Sequence, residues 1–179
     1  MTKQDRKIQY LTTTGILAAM ITLMTAYVCH IPIGSGGGYI HFGDALIYLG
    51  AVLLPTPYAM AAAVIGGGLA DLLTAPLWAP ATMIIKMLLV LSFDHKSGKL
   101  LNVRNIASLV IGGGITCLGY FLAEYLMFGE WAVFFASVFP NMIQAAGSAL
   151  FFILMAGALQ KINFKEKMFH EIKMENNKR

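Results

Sequence analysis

Long apolar runs alternate with short polar segments along this chain, a pattern typical of a helical bundle embedded in a membrane. Six runs are predicted as helices: about Tyr10–Pro32, Tyr39–Leu54, Tyr58–Thr74, Ala81–Phe93, Val103–Phe128 and Trp131–Leu159. A helix that crosses the hydrocarbon core needs roughly 20 residues. The second, third and fourth runs are shorter, so they form either a thinned part of the bundle or re-entrant segments. The pattern predicts an all-α integral membrane protein, a six-transmembrane-helix bundle.

Glycine and proline mark the breaks between these runs. A glycine-rich loop at 34–38 follows the first predicted helix, and Pro55-Thr56-Pro57 separates the second from the third. Proline ends one helix and can start the next, which predicts a tight turn there. Val-Ile-Gly-Gly-Gly occurs twice, at 64–68 and 110–114. We interpret these glycines as contact points between closely packed helices, with a faint internal repeat as the alternative.

Composition and charge distribution support the membrane assignment. The chain is 58% hydrophobic and only 12% charged, too few polar residues to cover a soluble core of this size. Basic residues are confined, except for Lys86, to the N-terminal stretch, the loop before the fifth helix, and the C-terminal stretch. By the positive-inside rule these segments, including the N- and C-termini, are expected in the cytoplasm. The net charge of +4 therefore does not indicate nucleic-acid binding.

This distribution predicts three regions. Residues 1–8 form a cytoplasmic N-terminal tail, residues 9–160 form the membrane domain, and residues 161–179 form a basic cytoplasmic tail. Apolar residues alternate with lysines in the last region, which favours an interfacial helix anchored to anionic headgroups. A solvated basic tail is the alternative.

Four ionisable residues fall inside the apolar runs: Asp44, Asp71, Lys86 and Glu124. A charge in lipid costs roughly 2.5–3.5 kcal/mol or more, so such residues usually line a pathway or a pocket. With the predicted topology all four lie toward the outer face. Their shared depth predicts a binding site at that end of the bundle.

Other polar and aromatic side chains are expected to line the same outward-facing cavity, with Asn141 and Gln144 nearer the midplane. The predicted substrate-binding set is Tyr39, His41, Asp44, Trp78, Lys86, Glu124, Asn141 and Gln144. Each has a structural alternative. Asp71 and Lys86 are expected to form a structural pair between the third and fourth helices. Asn141 and Gln144 could equally join helices, and Trp78 could belong to an aromatic belt. Three acids against one lysine favour a neutral or cationic ligand over a carboxylate.

Sequence signatures of catalysis are missing from the chain. It contains no His-Glu-x-x-His, no Gly-x-Ser-x-Gly and no Gly-Lys-Ser/Thr after its triple glycines. We expect no enzyme activity, no cofactor and no metal. Because no ATP site is encoded, active uptake would require partner subunits.

The chain resembles the S components, the substrate-binding subunits of energy-coupling factor (ECF) vitamin transporters, from about Lys7 to Lys161. The residues that carry the resemblance are His30-Ile31-Pro32, Gly38-Tyr39-Ile40-His41-Phe42-Gly43-Asp44-Ala45, Gly68-Leu69-Ala70-Asp71-Leu72-Leu73, Ala79-Pro80-Ala81-Thr82 and Ile85-Lys86. The Gly-Asp-Ala and Leu-Ala-Asp-Leu-Leu segments are the more specific ones.

The resemblance implies a multi-pass protein of the bacterial cell membrane that captures a vitamin or precursor from outside. Hydroxymethylpyrimidine, pyridoxine or a riboflavin-like compound is favoured. It implies docking on a transmembrane coupling protein driven by two ABC ATPases. In the family small residues of helix 1 contact that partner, and the matching stripe here is Gly15, Ala18, Ala19, Thr22 and Ala26. Packing within the chain is the alternative for this stripe. A self-sufficient permease or channel, acting as a homo-oligomer, is the alternative function.

Overall fold

The computed structural model describes residues 3–28, 31–33, 38–129 and 133–169, with the side chains of 32–33, 38–40 and 133–137 left out. The helices are α1 Lys3–Ala26, α2 Gly43–Leu53, α3 Thr56–Thr74, α4 Ala79–Leu91, α5 Val103–Phe128, α6 Val133–Lys161 and α7 Phe164–Phe169. Two short strands, β1 Ile31–Ile33 and β2 Gly38–Ile40, and a 3-10 helix, Pro76–Trp78, complete the elements. We call the end that carries the strands the hairpin end and the opposite one the tail end.

The helix α2 lies at the centre of the bundle. Every one of its residues is buried, as expected for a helix that is apolar all round. Tyr48 in its middle stacks on Phe93, at 5.2 Å between ring centroids, and meets the edge of Phe152 at 5.9 Å. A polar residue in this helix therefore faces other helices and not lipid.

An antiparallel β-hairpin replaces the ends of the first two predicted helices. Ile31 pairs with Ile40, Pro32 with Tyr39 and Ile33 with Gly38. The predicted bounds were wrong here: α1 ends at Ala26 and α2 begins at Gly43, not at Pro32 and Tyr39. The pairing satisfies the backbone N–H and C=O groups on both sides of the glycine-rich loop. Without it, these groups would need the hydrogen bonds of a helix.

The first of the two glycine triplets allows α3 to pack closely between α1 and α4. A Cβ on Gly66 would lie 2.7 Å from the Cβ of Ile21, and one on Gly67 would lie 3.3 Å from the Cγ of Lys86. The second triplet is looser, since Gly114 has open space around it. Close helix contact thus explains the first triplet, as predicted, and not the whole of the second.

At the tail end, α7 folds back beneath the bundle. Phe169 is buried and its ring lies 5.2 Å from that of Tyr10 in α1. The Lys165 ammonium donates hydrogen bonds to the carbonyls of Val52, at 2.8 Å, and Ser97, at 2.9 Å, and to that of His95. The start of the predicted basic tail is therefore tied to the protein, and α1 extends through most of the predicted N-terminal tail.

The described residues include four helices long and apolar enough to cross a membrane, within α1, α3, α5 and α6. The apolar stretches at Gly43–Leu53 and Pro76–Leu91 are shorter than a span. The fold is thus an all-α membrane bundle apart from the hairpin. Six crossings and the cytoplasmic termini stay predictions.

Candidate functional site

A buried ion pair lies inside the bundle toward the hairpin end. The Lys86 Nζ is 2.7 Å from the Oδ1 of Asp44 and donates a hydrogen bond of 2.9 Å to its Oδ2. The Gln144 side chain donates to the same Oδ2 at 3.2 Å. Asp44, Lys86 and Gln144 are all at least 97% buried. We call these three residues, from α2, α4 and α6, the polar network.

Local structure explains how each member reaches this point. Asp44 lies in the first turn of α2, where the helix dipole favours a negative charge. The stem of Lys86 lies against Gly67 of α3, so its long side chain can extend toward α2. Gln144 is about three turns into α6.

The ion-pair partner of Lys86 corrects the sequence prediction, which paired it with Asp71. Asp71 is buried in the last turns of α3 and stays within electrostatic range of the Lys86 ammonium. The contact is instead made with Asp44, because the first turn of α2 lies in the bundle interior. Sequence alone could not rank the two acids, since both lie at similar depth.

Aromatic residues form one wall beside the polar network. The Lys86 ammonium is 5.3 Å from the ring centroid of Tyr120, a distance suited to a cation–π contact. Tyr120 shares a 2.8 Å hydrogen bond with Thr82, and its ring meets that of Trp78 edge-on at 6.2 Å. Trp78 is half-buried and also packs on Phe128, at 6.4 Å. It therefore belongs to this wall, whether or not it contacts lipid as well.

His41 positions the start of α2. Its Nδ1 accepts a 3.0 Å hydrogen bond from the backbone N–H of Gly43 and lies 3.5 Å from the Oγ1 of Thr25. The ring is 95% buried. These contacts fix the start of α2 next to Asp44, whereas the predicted contact of His41 with substrate stays a prediction.

The remaining predicted binding residues lie at neighbouring positions of α5, α6 and β2. Glu124 is half-buried about one turn beyond Tyr120 on α5, and Asn141 is half-buried three residues before Gln144. Tyr39 is in β2, and its side chain is outside the described residues.

Several residues of the site were missed by the sequence reasoning, namely Thr82, Tyr120 and Tyr48. Tyr48 and Tyr120 were read as ordinary members of apolar runs, and Thr82 was quoted only as part of a segment that carries the family resemblance. A helical signal could have found two of them, because Tyr48 follows Asp44 by four residues and Tyr120 precedes Glu124 by four.

The predicted docking stripe is divided by the packing of α1. Ala18 and Ala26 are buried, and Thr22 donates a 3.0 Å hydrogen bond to the carbonyl of Gly66 in α3. Gly15 and Ala19 are exposed. Only these two of the five can face a partner without disturbing the α1–α3 contact.

The network brings a carboxylate, an ammonium group and an amide together inside the bundle. A fully buried charge pair with an added amide donor is costly to build and typical of a binding or transport site in a membrane protein. No cluster of three or more His, Cys, Asp or Glu side chains able to hold a metal occurs in the part of the chain that the structure describes.

Comparison with known proteins identifies relatives of this chain. The family model "ECF-type riboflavin transporter, S component" matches residues 5–161. A relative from Pyrococcus woesei, described as an uncharacterized protein in the gap 3' region, is 30% identical over 138 residues, covering 76% of this chain and 89% of the relative. The chain is therefore a multi-pass membrane transport subunit and not an enzyme, and it belongs to the family of S components that bind the substrate in ECF vitamin transporters.

Proposed function

We propose that this protein captures a neutral heteroaromatic vitamin or precursor from outside the cell, with riboflavin as the first candidate. Pyridoxine and hydroxymethylpyrimidine are the compact alternatives. The observation that carries the proposal is the polar network beside the Trp78–Tyr120 wall. Flat rings suit an aromatic wall, and ring nitrogens and carbonyls suit amide and charged donors.

The neutral charge of the ligand follows from the pairing within the network. Lys86 neutralises Asp44, and Gln144 adds an uncharged hydrogen-bonding group. A carboxylate ligand would have to compete with Asp44 for Lys86 and leave one carboxylate buried without a partner, which costs several kcal/mol. A neutral ligand meets no such cost.

Charge distribution supports an outward-facing hairpin end. The connections at this end, residues 27–42, 75–78 and 129–132, contain no Lys or Arg. Lys3, Lys7, Lys96, Lys99 and Lys165 belong to segments at the tail end. The positive-inside rule assigns the lysine-rich tail end to the cytoplasm, which leaves the hairpin end facing outward.

Transport then requires an energising complex, which we propose to be a transmembrane coupling protein with two ABC ATPases. The exposed Gly15 and Ala19 on α1 are the proposed contact, since small side chains permit close helix approach. Ala18 and Thr22 would support that surface from behind through their contacts with Gly66 of α3, and Ala26 is buried within the bundle.

Thermal unfolding in detergent tests the substrate proposal. Riboflavin, pyridoxine, hydroxymethylpyrimidine and the carboxylate vitamin biotin are each added to the purified protein. A ligand at 100 times its Kd stabilises by about 2.7 kcal/mol, so a heteroaromatic compound should raise Tm by several degrees. The largest increase with biotin would contradict a neutral-ligand site.

A further inference from the structure

A second pocket, of about 260 Å³, opens at the tail end of the bundle between α1 and α3. It is lined by Lys3, Arg6, Lys7 and Tyr10 of α1 and by Tyr58 of α3. Three of these described lining residues are cationic and none is acidic. We call it the basic pocket. It shares no residue with the polar network, which is built on α2, α4 and α6.

The two lysines of the pocket lie on the side of α1 that packs against α3 deeper in the bundle. Tyr10 follows Lys3 by seven residues and Thr14 follows Lys7 by seven, and helical positions seven apart share a face. Thr14 is buried, and its Oγ1 lies 3.5 Å from the carbonyl oxygen of Tyr58. Lys3 and Lys7 continue this face beyond the contact with α3. They therefore line a gap between two helices and do not merely surround the end of α1.

The arrangement of the three cations opposes helix stability. Lys3, Arg6 and Lys7 are spaced three and four residues apart, and like charges at this spacing repel each other. Asp5 lies on another side of the helix, since residues one or two apart do not face each other. The positive-inside rule explains basic residues at this end but not their gathering on one face around a pocket. A bound anion would remove the repulsion.

The neighbouring element α7 fixes the floor of the pocket without neutralising it. The ring of Tyr10 lies 5.2 Å from that of Tyr58 and 5.2 Å from that of the buried Phe169. Glu166 of α7 is matched by Lys167 beside it, and both are exposed. Residues 170–179 contain three basic and two acidic residues, so the segment that follows α7 adds positive charge.

The basic pocket lies where α1 passes from polar to apolar sequence. Ile8 and Leu11 are 54% and 53% exposed. Leu11 follows Lys7 by four residues, so the two are neighbours on the helix surface. Tyrosine is enriched at the level of lipid headgroups, and the pocket contains two. A ligand with an anionic head and an apolar chain would meet the cations first and then these exposed apolar side chains.

We propose that the basic pocket binds the phosphate group of an anionic phospholipid. Lysine and arginine form charge-assisted hydrogen bonds with phosphate oxygens, and the hydroxyls of Tyr10 and Tyr58 can donate to the same group. The acyl chains would run along α1 past Leu11. This site is independent of the vitamin that the protein captures. It would anchor the tail end of α1, the helix proposed to contact the coupling protein.

Thermal unfolding of the full chain in detergent, with and without added lipid, tests the site. Phosphatidylglycerol should raise Tm, whereas phosphatidylcholine at the same ratio to detergent should raise it less, because its choline offsets the phosphate charge. Lys3→Gln combined with Lys7→Gln should weaken phosphatidylglycerol binding about tenfold or more and remove most of the Tm increase. Lys96→Gln combined with Lys99→Gln removes the same charge from an exposed loop at the same end and should leave the increase unchanged.

Both double variants alter exposed side chains, and their Tm without lipid checks that they fold. Equal phosphatidylglycerol effects in the two variants, or equal effects of the two lipids on the unaltered protein, would overturn the pocket and indicate general attraction to a basic surface. Glycerol 3-phosphate, which lacks acyl chains, should not raise Tm; an increase as large as that with phosphatidylglycerol would overturn the lipid assignment in favour of a soluble phosphate. If the Lys3 and Lys7 variant keeps the full lipid effect but no longer co-purifies with the coupling protein, the pocket belongs to a protein interface instead.

Discussion

At the scale of single residues, the Asp44–Lys86 pair dominates the energetics of the site. Lys86→Met should destabilise the protein by about 3–5 kcal/mol, since it leaves the Asp44 carboxylate buried and unpaired. Asp44→Leu combined with Lys86→Met should recover most of that loss, because no charge is then buried. Denaturant or thermal unfolding of the two variants measures this coupling. A double variant as unstable as the single one would show that the pair is not what stabilises this region.

The sequence could identify the members of this pair but not their pairing. Asp44, Asp71 and Lys86 are recognisable because charges are rare in apolar runs. Which acid faces the lysine depends on how α2 and α3 are rotated, and on Gly67, whose missing side chain admits the stem of Lys86. Tyr48 was overlooked for the opposite reason, since tyrosine is common in apolar helices and only its four-residue spacing from Asp44 distinguishes it.

At the scale of elements, the entry to α2 depends on a close approach at Gly43. A Cβ there would lie 2.0 Å from the Oγ1 of Thr25 and 3.0 Å from the Nδ1 of His41. Gly43→Ala should therefore destabilise the protein by about 1–3 kcal/mol through overpacking. Adding Thr25→Ala removes the clashing oxygen and should restore part of the stability. Unfolding curves that show no such rescue would contradict the packing at this junction.

The tail-end element α7 offers a second prediction. Lys165 is expected to hold α7 in place through its bonds to the carbonyls of α2 and of the loop before α5. Lys165→Met should increase amide hydrogen exchange across 164–169, whereas Lys167→Met, a change of the same size at an exposed position, should not. Equal exchange in both variants would mean that the apolar contacts of Phe169 suffice.

Element boundaries show where sequence patterns are weakest. The interiors of α3 and α5 were predicted closely because apolar runs bounded by Pro or polar residues are unambiguous. The hairpin was missed, since Ile31-Pro32-Ile33 and Gly38-Tyr39-Ile40 continue the apolar runs on either side. Strand pairing is a non-local interaction that hydropathy does not report.

At the scale of the whole molecule, substrate capture and assembly with partners should be separable. Ala19→Trp should prevent assembly with the coupling protein while leaving riboflavin affinity unchanged, because Ala19 is exposed and lies on α1, which contributes no residue to the polar network. Ala146→Trp, an equal change at an exposed position of α6, is the control and should assemble normally. Co-purification of the complex measures assembly. Loss of both assembly and binding in Ala19→Trp would contradict a docking role.

The membrane class and the transport function could be predicted from the charge segregation and the motifs. The contacts within the site could not, because they depend on how the helices pack in three dimensions. Hydropathy predicted Gln144 deeper in the membrane than Asp44, whereas the two side chains share a hydrogen bond between positions 100 residues apart in sequence. The preference for a neutral or cationic ligand over a carboxylate stays a prediction, for which the Asp44–Lys86 pair offers a local physical reason.

Riboflavin titration of the ligand-stripped protein tests the central claim most directly. The account predicts saturable quenching of flavin fluorescence by the unaltered protein. Gln144→Leu should weaken it at least tenfold, because the donor next to Asp44 is lost. Gln160→Leu, the same change at the tail end of α6, should bind normally while it remains folded. Equal affinity of the Gln144→Leu and unaltered proteins would contradict the assignment of the polar network as the substrate site.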